Sequence, residues 1–153
     1  MNAFIGTIHA KPDAKGRVFV PASFRKILQS SGESDLVLRK DIHQDCLVLC
    51  LESVWQERSD ALRRQLNELD EDDDNLFRLI SAFVEPVELD SNGRLLIPKK
   101  YLQMAKISNA VCFVGMNKYI EIWNPDLFTK ITTSADDLKS HVRKFLSKSK
   151  EYK

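Results

Sequence analysis

Short apolar runs of strand length recur along the chain, separated by turn residues. Val18-Phe19-Val20 and Leu95-Leu96-Ile97 read as short buried strands. Residues 36–39 with 46–51, and 111–114 with 119–123, read as two further hairpins. Just before the first two strands, Gly16 and Gly93 supply the positive φ of a tight turn, and Asn92-Gly93 is a strong hairpin signal. Asp13 and Asp90 have short carboxylates able to accept hydrogen bonds from the turn N–H groups. Pro21 and Pro98 then fit the first position of a helix, where a missing N–H costs nothing. Ser23-Phe24-Arg25-Lys26-Ile27-Leu28 continues the first helix to a stop at Ser31-Gly32.

These matching elements belong to an internal repeat. Asp13-Ala14-Lys15-Gly16-Arg17-Val18-Phe19-Val20-Pro21 aligns with Asp90-Ser91-Asn92-Gly93-Arg94-Leu95-Leu96-Ile97-Pro98 at an offset of 77. Cys46-Leu47-Val48-Leu49-Cys50 pairs with Tyr119-Ile120-Glu121-Ile122-Trp123 at an offset of 73, so only the intervening loops differ in length. Two matching blocks in the same order indicate duplication. The unit is strand, turn, strand, helix and hairpin, used twice. Neither copy supplies enough strand to close a core alone, so the expectation is two interleaved halves about a pseudo-twofold axis. The divisions are 1–52 for the first copy, 53–80 for a helical hairpin, 81–124 for the second copy, and 125–153 for a final helix and basic tail.

In the linking hairpin, Ser53 can cap a helix bearing Trp55, Leu62, Leu66 and Leu69 on one face. Asp74 can cap a second helix bearing Leu76, Leu79, Ile80 and Phe83, with carboxylates favoured at its N-terminus. Residues 137–148 read as a last helix with Leu138, Val142 and Phe145 inward, and Glu151-Tyr152-Lys153 as a frayed end.

Composition narrows the class. With 153 residues, 43% of them hydrophobic and 29% charged, the chain can bury one core. No apolar run approaches the roughly 20 residues of a membrane span, and the start lacks a signal-peptide pattern. Three irregularly spaced cysteines make no disulfide framework, which points to a reducing cytoplasm. The net charge of +1 hides a basic patch of +4 over residues 1–27, the acidic run Asp70-Glu71-Asp72-Asp73-Asp74 and a basic tail. Local patches of this kind steer polyanions whatever the average.

His43, Cys46 and Cys50 lack a Cys-x-x-Cys knuckle, and two cysteines on one face of an apolar strand are ordinary core. The acidic run lacks the ligand spacing of a calcium loop and reads as a solvated turn. No phosphate loop, nucleophile elbow or zinc-protease motif is visible, so no enzymatic activity, cofactor, metal or small-molecule substrate is expected. The basic residues after Lys139 read as the solvated side of a terminal helix rather than a nucleic-acid arm.

Asp-x-x-x-Arg followed by aliphatics and Pro, present twice in a chain of this length, resembles the bacterial MraZ family. The similarity extends through Ile42-His43 and Asn117-Lys118-Tyr119-Ile120-Glu121-Ile122-Trp123. It implies a mixed α+β fold with a β-rich core. In that fold each half resembles the swapped-hairpin unit of AbrB and SpoVT-type DNA-binding domains, giving a double-split β-barrel flanked by helices. It also implies a sequence-specific, nucleoid-associated transcriptional regulator that binds tandem promoter repeats of double-stranded DNA as a ring-like homo-oligomer. The regulated genes would be its own division and cell wall gene cluster. Candidate DNA contacts are Lys11, Lys15, Arg17 and Arg94, with Asp13, Gly16, Asp90 and Gly93 supporting the turns. Lys15 of the first turn faces Asn92 of the second, and the local charge favours the first turn as the stronger contact. The competing reading is a non-catalytic ring-forming scaffold whose basic patch is incidental.

Overall fold

A computed structural model describes residues 3–133 and 135–148. The predicted fraying of 151–153 and the ends of the basic tail at Lys150 and Lys153 lie outside them. The first copy contributes β1 (Thr7–Ala10), β2 (Arg17–Phe19), α1 (Ala22–Ser30), β3 (Leu36–Lys40) and β4 (Leu47–Leu51). Next come α2 (Glu52–Gln65) and α3 (Glu71–Ala82). The second copy contributes β5 (Val84–Val87), β6 (Arg94–Leu96), α4 (Lys99–Met104), β7 (Val111–Met116) and β8 (Tyr119–Trp123). The described chain ends with α5 (Pro125–Ile131) and α6 (Ala135–Lys148). The architecture is mixed α+β, with a large antiparallel sheet at its centre.

The sheet has six strands in the order β1-β7-β8-β4-β3-β5, and a separate ribbon pairs β2 with β6. Among the described residues the large sheet is open, with β1 and β5 at its edges, and no barrel closes. Its order is a palindrome when each first-copy strand is exchanged for its second-copy counterpart. β1 pairs with β7 rather than with a strand of its own copy, as Ile8 opposite Phe113 shows. β5 correspondingly pairs with β3, Leu38 facing Glu85. The central seam joins β4 to β8, with Leu49 opposite Ile120. The turns at Gly16 and Gly93 therefore do not close local hairpins. The chain reverses there and leaves to pair with the other copy.

One face of the sheet carries the main core. Leu38, Leu49, Phe113 and Ile120 meet Val18 and Leu95 from beneath the ribbon, with Phe24 of α1 and Tyr101 of α4. Phe4 packs edge-on to Phe24 with ring centroids 5.6 Å apart. Gly115 is required where the N-terminal segment crosses β7, because a Cβ there would lie 2.5 Å from the Phe4 carbonyl. The other face holds Cys46, Cys112, Val114 and Trp123 under Leu127 and Phe128 of α5. Elsewhere Trp55 of α2 stacks under Arg39, whose guanidinium carbon lies 5.2 Å from the ring centroid.

Several local expectations change. The strand residues 18–20 and 95–97 are not uniformly buried: Val18, Val20, Leu95 and Ile97 are, whereas Phe19 and Leu96 face solvent. A two-stranded ribbon lying on a core has only one inward face, so alternate residues must point out. Pro21 and Pro98 sit one position earlier than expected, immediately before their helices. Helix α2 follows β4 directly, so Ser53 lies inside its first turn and donates to Glu33 Oε2 at 2.8 Å. Helix α3 starts one turn earlier than expected. Asp70, not Asp74, caps it by accepting from Asp73 N–H at 3.2 Å, which leaves Asp74 in the first turn. Neither helix of the hairpin buries a residue fully, and Leu69 is almost wholly exposed beyond the end of α2. Arg63 joins the two helices, lying 4.7 Å from the Phe77 ring centroid and 3.7 Å from Asp74. Leu138, Val142 and Phe145 of α6, expected inward, are exposed, since α1, α4, α2 and α5 already cover the sheet.

Candidate nucleic-acid interface

The two turns are built alike, bond for bond. Asp13 Oδ1 accepts from the backbone N–H of Lys15 at 2.9 Å and of Arg17 at 3.0 Å. Asp90 Oδ1 accepts from the N–H of Asn92 at 2.9 Å and of Arg94 at 2.8 Å. The other carboxylate oxygen of each takes the Nε–H of its arginine, Arg17 and Arg94 alike, at 2.8 Å. Each turn closes with a glycine N–H donating to the aspartate carbonyl at 3.0 Å, Gly16 at φ +86° and Gly93 at φ +82°. The spacing Asp-x-x-x-Arg is therefore mechanical: one carboxylate ties three N–H donors across a four-residue span. Those bonds hold the Asp13 carboxyl below the ordinary aspartate range, chiefly through the Arg17 N–H, and that of Asp90 through the Arg94 N–H.

Each carboxylate takes Nε, and among the described residues no hydrogen bond engages the terminal Nη groups of Arg17 or Arg94. Arg17 and Arg94 stand diagonally on the outward face of the β2–β6 ribbon, Arg17 opposite Leu96 and Phe19 opposite Arg94. The Arg94 guanidinium carbon is 5.7 Å from the Phe19 ring centroid, so Arg94 is oriented by both its aspartate and a ring. Lys15 is exposed at the tip of the first turn, and Lys11 is exposed between β1 and that turn.

The interleaving redistributes the charge counted along the chain. Each turn docks on the other copy: Ile97 N–H donates to the Gly16 carbonyl at 2.9 Å, and Val20 N–H to the Gly93 carbonyl at 3.2 Å. Arg25 of α1 packs on the second turn, where a Cβ on Gly93 would lie 2.5 Å from its Nη1. At the first turn the matching place is taken by Leu102 of α4, and Lys99 lines the same hollow as Lys15. Lys11, Lys15, Arg17 and Lys99 thus gather at one end of the ribbon, and Arg94 and Arg25 at the other. Linear charge counting assigns Arg25 to the first turn and Lys99 to the second, whereas each packs on the turn of the other copy. The exposure of Phe19 and Leu96 is likewise set by the ribbon's single buried face, which the all-apolar runs do not mark.

The residues weighed for metal are not brought together as a set. Cys46 instead groups with Asp41 and Glu121, their ligand-type atoms all within 4.8 Å. Burial, aided by Glu121, pushes the Cys46 thiol far above its usual range, and burial also raises Glu121. Glu121 accepts a hydrogen bond from Trp123 Nε1 at 2.9 Å. All three cysteines are buried free thiols. Among the described residues no helix is long and apolar enough to cross a membrane.

A duplicated α+β body that presents paired, aspartate-anchored arginines on one β-ribbon defines a tandem-motif protein with a single basic face. Comparison with known proteins assigns that class to a family. Residues 84–146 match the family described as "MraZ protein, putative antitoxin-like". The chain is 49% identical over 131 residues to the Transcriptional regulator MraZ of Bacteroides fragilis, covering 86% of this chain and 83% of the relative. It is 48% identical over 134 residues to that of Phocaeicola vulgatus, covering 88% and 87%. It is 32% identical to that of Cytophaga hutchinsonii over 152 residues, 99% of both chains. The chain belongs to the MraZ family.

Proposed function

We propose that this chain is a sequence-specific DNA-binding transcriptional regulator that lays its β2–β6 ribbon in the major groove. The observation that carries this reading is the placement of Arg17 and Arg94 on the outward face of one ribbon, each fixed through Nε to its own aspartate. A guanidinium held in this way can grip phosphate or guanine O6 and N7 in bidentate fashion, and a two-stranded ribbon fits the groove. Lys11 and Lys15 make phosphate contacts that position the ribbon without reading sequence. Asp13, Gly16, Asp90 and Gly93 act as the supports that aim the arginines.

The strand exchange supports reading the body as paired swapped-hairpin units of the double-split barrel kind. The divisions at 1–52, 53–80, 81–124 and 125–153 then form one intertwined unit. One ribbon spans few base pairs, so tight binding calls for several copies; a ring-like homo-oligomer on tandem promoter repeats supplies them. The relatives are named transcriptional regulators, which favours the regulator reading; we extend it to the promoter of the chain's own division and cell wall gene cluster and to a cytoplasmic, nucleoid-associated location. A gel shift with the promoter fragment upstream of its own coding sequence, at two salt concentrations, tests it. Retarded complexes that weaken as salt rises are expected. Absence of binding at low salt would leave the scaffold reading in its place.

A further inference from the structure

Between the two arginines, the outward ribbon face carries Phe19 and Leu96, which are 57% and 54% exposed. They occupy equivalent repeat positions, and the pairing Arg17–Leu96, Val18–Leu95, Phe19–Arg94 sets them diagonally about the ribbon's centre. Their neighbours Val18 and Leu95 are buried, so the exposure comes from the strand's alternation and not from a loosened fold. A large apolar pair beside two guanidinium groups is costly in water. An apolar protein partner would have to desolvate both arginines to cover it. The major groove of DNA answers both at once, with guanine acceptors for the arginines and pyrimidine 5-methyl groups for apolar side chains. The spacing agrees: side chains two apart on a strand are about 7 Å apart, and two base-pair rises of roughly 3.4 Å each span the same distance.

We propose that Phe19 and Leu96 are specificity-determining residues that recognise thymine methyl groups, Phe19 about two base pairs from the base addressed by Arg17 and Leu96 about two from that addressed by Arg94. This rests on the DNA-binding reading above and adds a chemical class of base to it. The consequence is a pseudo-palindromic reading head with an asymmetric middle. Phenylalanine covers more methyl surface than leucine, and its ring also holds Arg94.

The test uses the full chain and its own upstream promoter duplex, synthesised once with thymine and once with uracil throughout. Uracil removes only the methyl groups and leaves the hydrogen-bonding edge intact. Fluorescence anisotropy is expected to show weaker binding to the uracil duplex, by about fourfold for each methyl lost from an apolar contact. In Phe19→Ala the thymine duplex should weaken and the thymine-to-uracil ratio should fall, with Leu96→Ala following to a smaller extent. Phe19→Leu should keep most of the ratio, and thermal melting should show every variant folded, as expected for exposed positions. Equal, salt-sensitive binding of both duplexes by the wild type would overturn the inference while leaving the DNA-binding reading in place. So would a ratio that persists in the doubly substituted Phe19→Ala, Leu96→Ala chain. Methyl-indifferent binding that bends the duplex would assign the pair to a minor-groove wedge instead. Failure to bind either duplex would remove the DNA-binding reading and the inference together.

Discussion

At the residue scale the two arginines stand in different surroundings despite matching bonds. Arg17 stands with Lys11, Lys15 and Lys99 at the more basic end of the ribbon, whereas Arg94 is braced by Phe19 and accompanied by Arg25. Arg17→Ala is therefore expected to weaken promoter binding more than Arg94→Ala. Loss of a bidentate guanine contact costs on the order of 1–3 kcal/mol and relaxes base preference at that position. Lys15→Ala should weaken all sequences alike and reduce the salt dependence by about one ion. Titrations of the three folded variants at several salt concentrations check the order, and a larger loss in Arg94→Ala would reverse it. The anchoring aspartates give the turns a pH limit. Because both carboxyls lie below the ordinary value of about 3.9 in the folded state, their bonds stabilise the turns fully above that pH. The contribution is lost as pH falls through the lower folded value. Amide chemical shifts of Lys15, Arg17, Asn92 and Arg94 should stay constant from neutrality into mild acid and move together only below it. Glu121 runs the other way: burial raises its pKa, so its folded form favours the proton and stability falls as pH rises through the raised value. Glu121→Gln keeps an acceptor for Trp123 and removes the buried charge. It should raise the melting temperature at neutral pH and make little difference in acid.

At the scale of elements, the same glycine turn meets different neighbours in its two copies, so equivalent substitutions are unequal. A Cβ on Gly16 would lie 2.8 Å from the backbone carbonyl oxygen of Ile97, a residue whose N–H donates to the Gly16 carbonyl and so holds that backbone against the turn. A Cβ on Gly93 meets the side chain of Arg25, a flexible group that can rotate away. Both positions also carry the cost of a left-handed backbone, roughly 1–2 kcal/mol for a non-glycine residue. Gly16→Ala should therefore lower the urea midpoint more than Gly93→Ala, whereas Gly93→Ala should disturb Arg25 and with it DNA affinity. Equal midpoints would show that the crossing strand is softer than its hydrogen bond implies. The two glycine turns, the strands after them and the ends of α1 and α6 were legible in the sequence, because glycine and proline act within a few residues; α5 carried no expectation of its own. Capping was harder to read: the acidic run offers several equivalent caps, and the helix uses Asp70. The ribbon's outward face was misread for another reason. Val18-Phe19-Val20 is apolar throughout, and only the single-sided burial of a separate ribbon decides which residues emerge.

At the scale of the whole molecule, strand exchange decides both stability and reach. β1, β4 and β5 each find their pairing across the repeat boundary, and so do both strands of the ribbon. The repeat announced two copies but not which strand would pair with which, since pairing is set by long-range burial that no local pattern encodes. A fragment ending at residue 75 keeps only the β3–β4 hairpin among its strand pairings, and should show no cooperative unfolding transition in urea. Exchange also places the two motifs on a single ribbon face, which under the proposed function limits what one chain can grip. A ribbon three residues long on each strand covers about 10 Å of groove, roughly three base pairs at 3.4 Å each. Contacts of that extent discriminate among bases yet bind one site weakly. If chains assemble as proposed, a second engaged ribbon acts at the effective concentration set by the assembly, raising affinity by about 10²–10⁴ without new contacts. Binding should then depend steeply on the number and spacing of repeats in the promoter duplex. Duplexes carrying one, two and three repeats, and a two-repeat duplex with its spacer lengthened by about half a helical turn, measure this directly. Affinity is expected to climb with repeat number and to drop to the single-repeat level when the half-turn insertion moves one site to the opposite side of the helix. Mass photometry on the same samples should show several chains on each duplex. Equal affinity for one and three repeats, with a single chain bound, would place all the binding energy in one ribbon and remove the need for a ring.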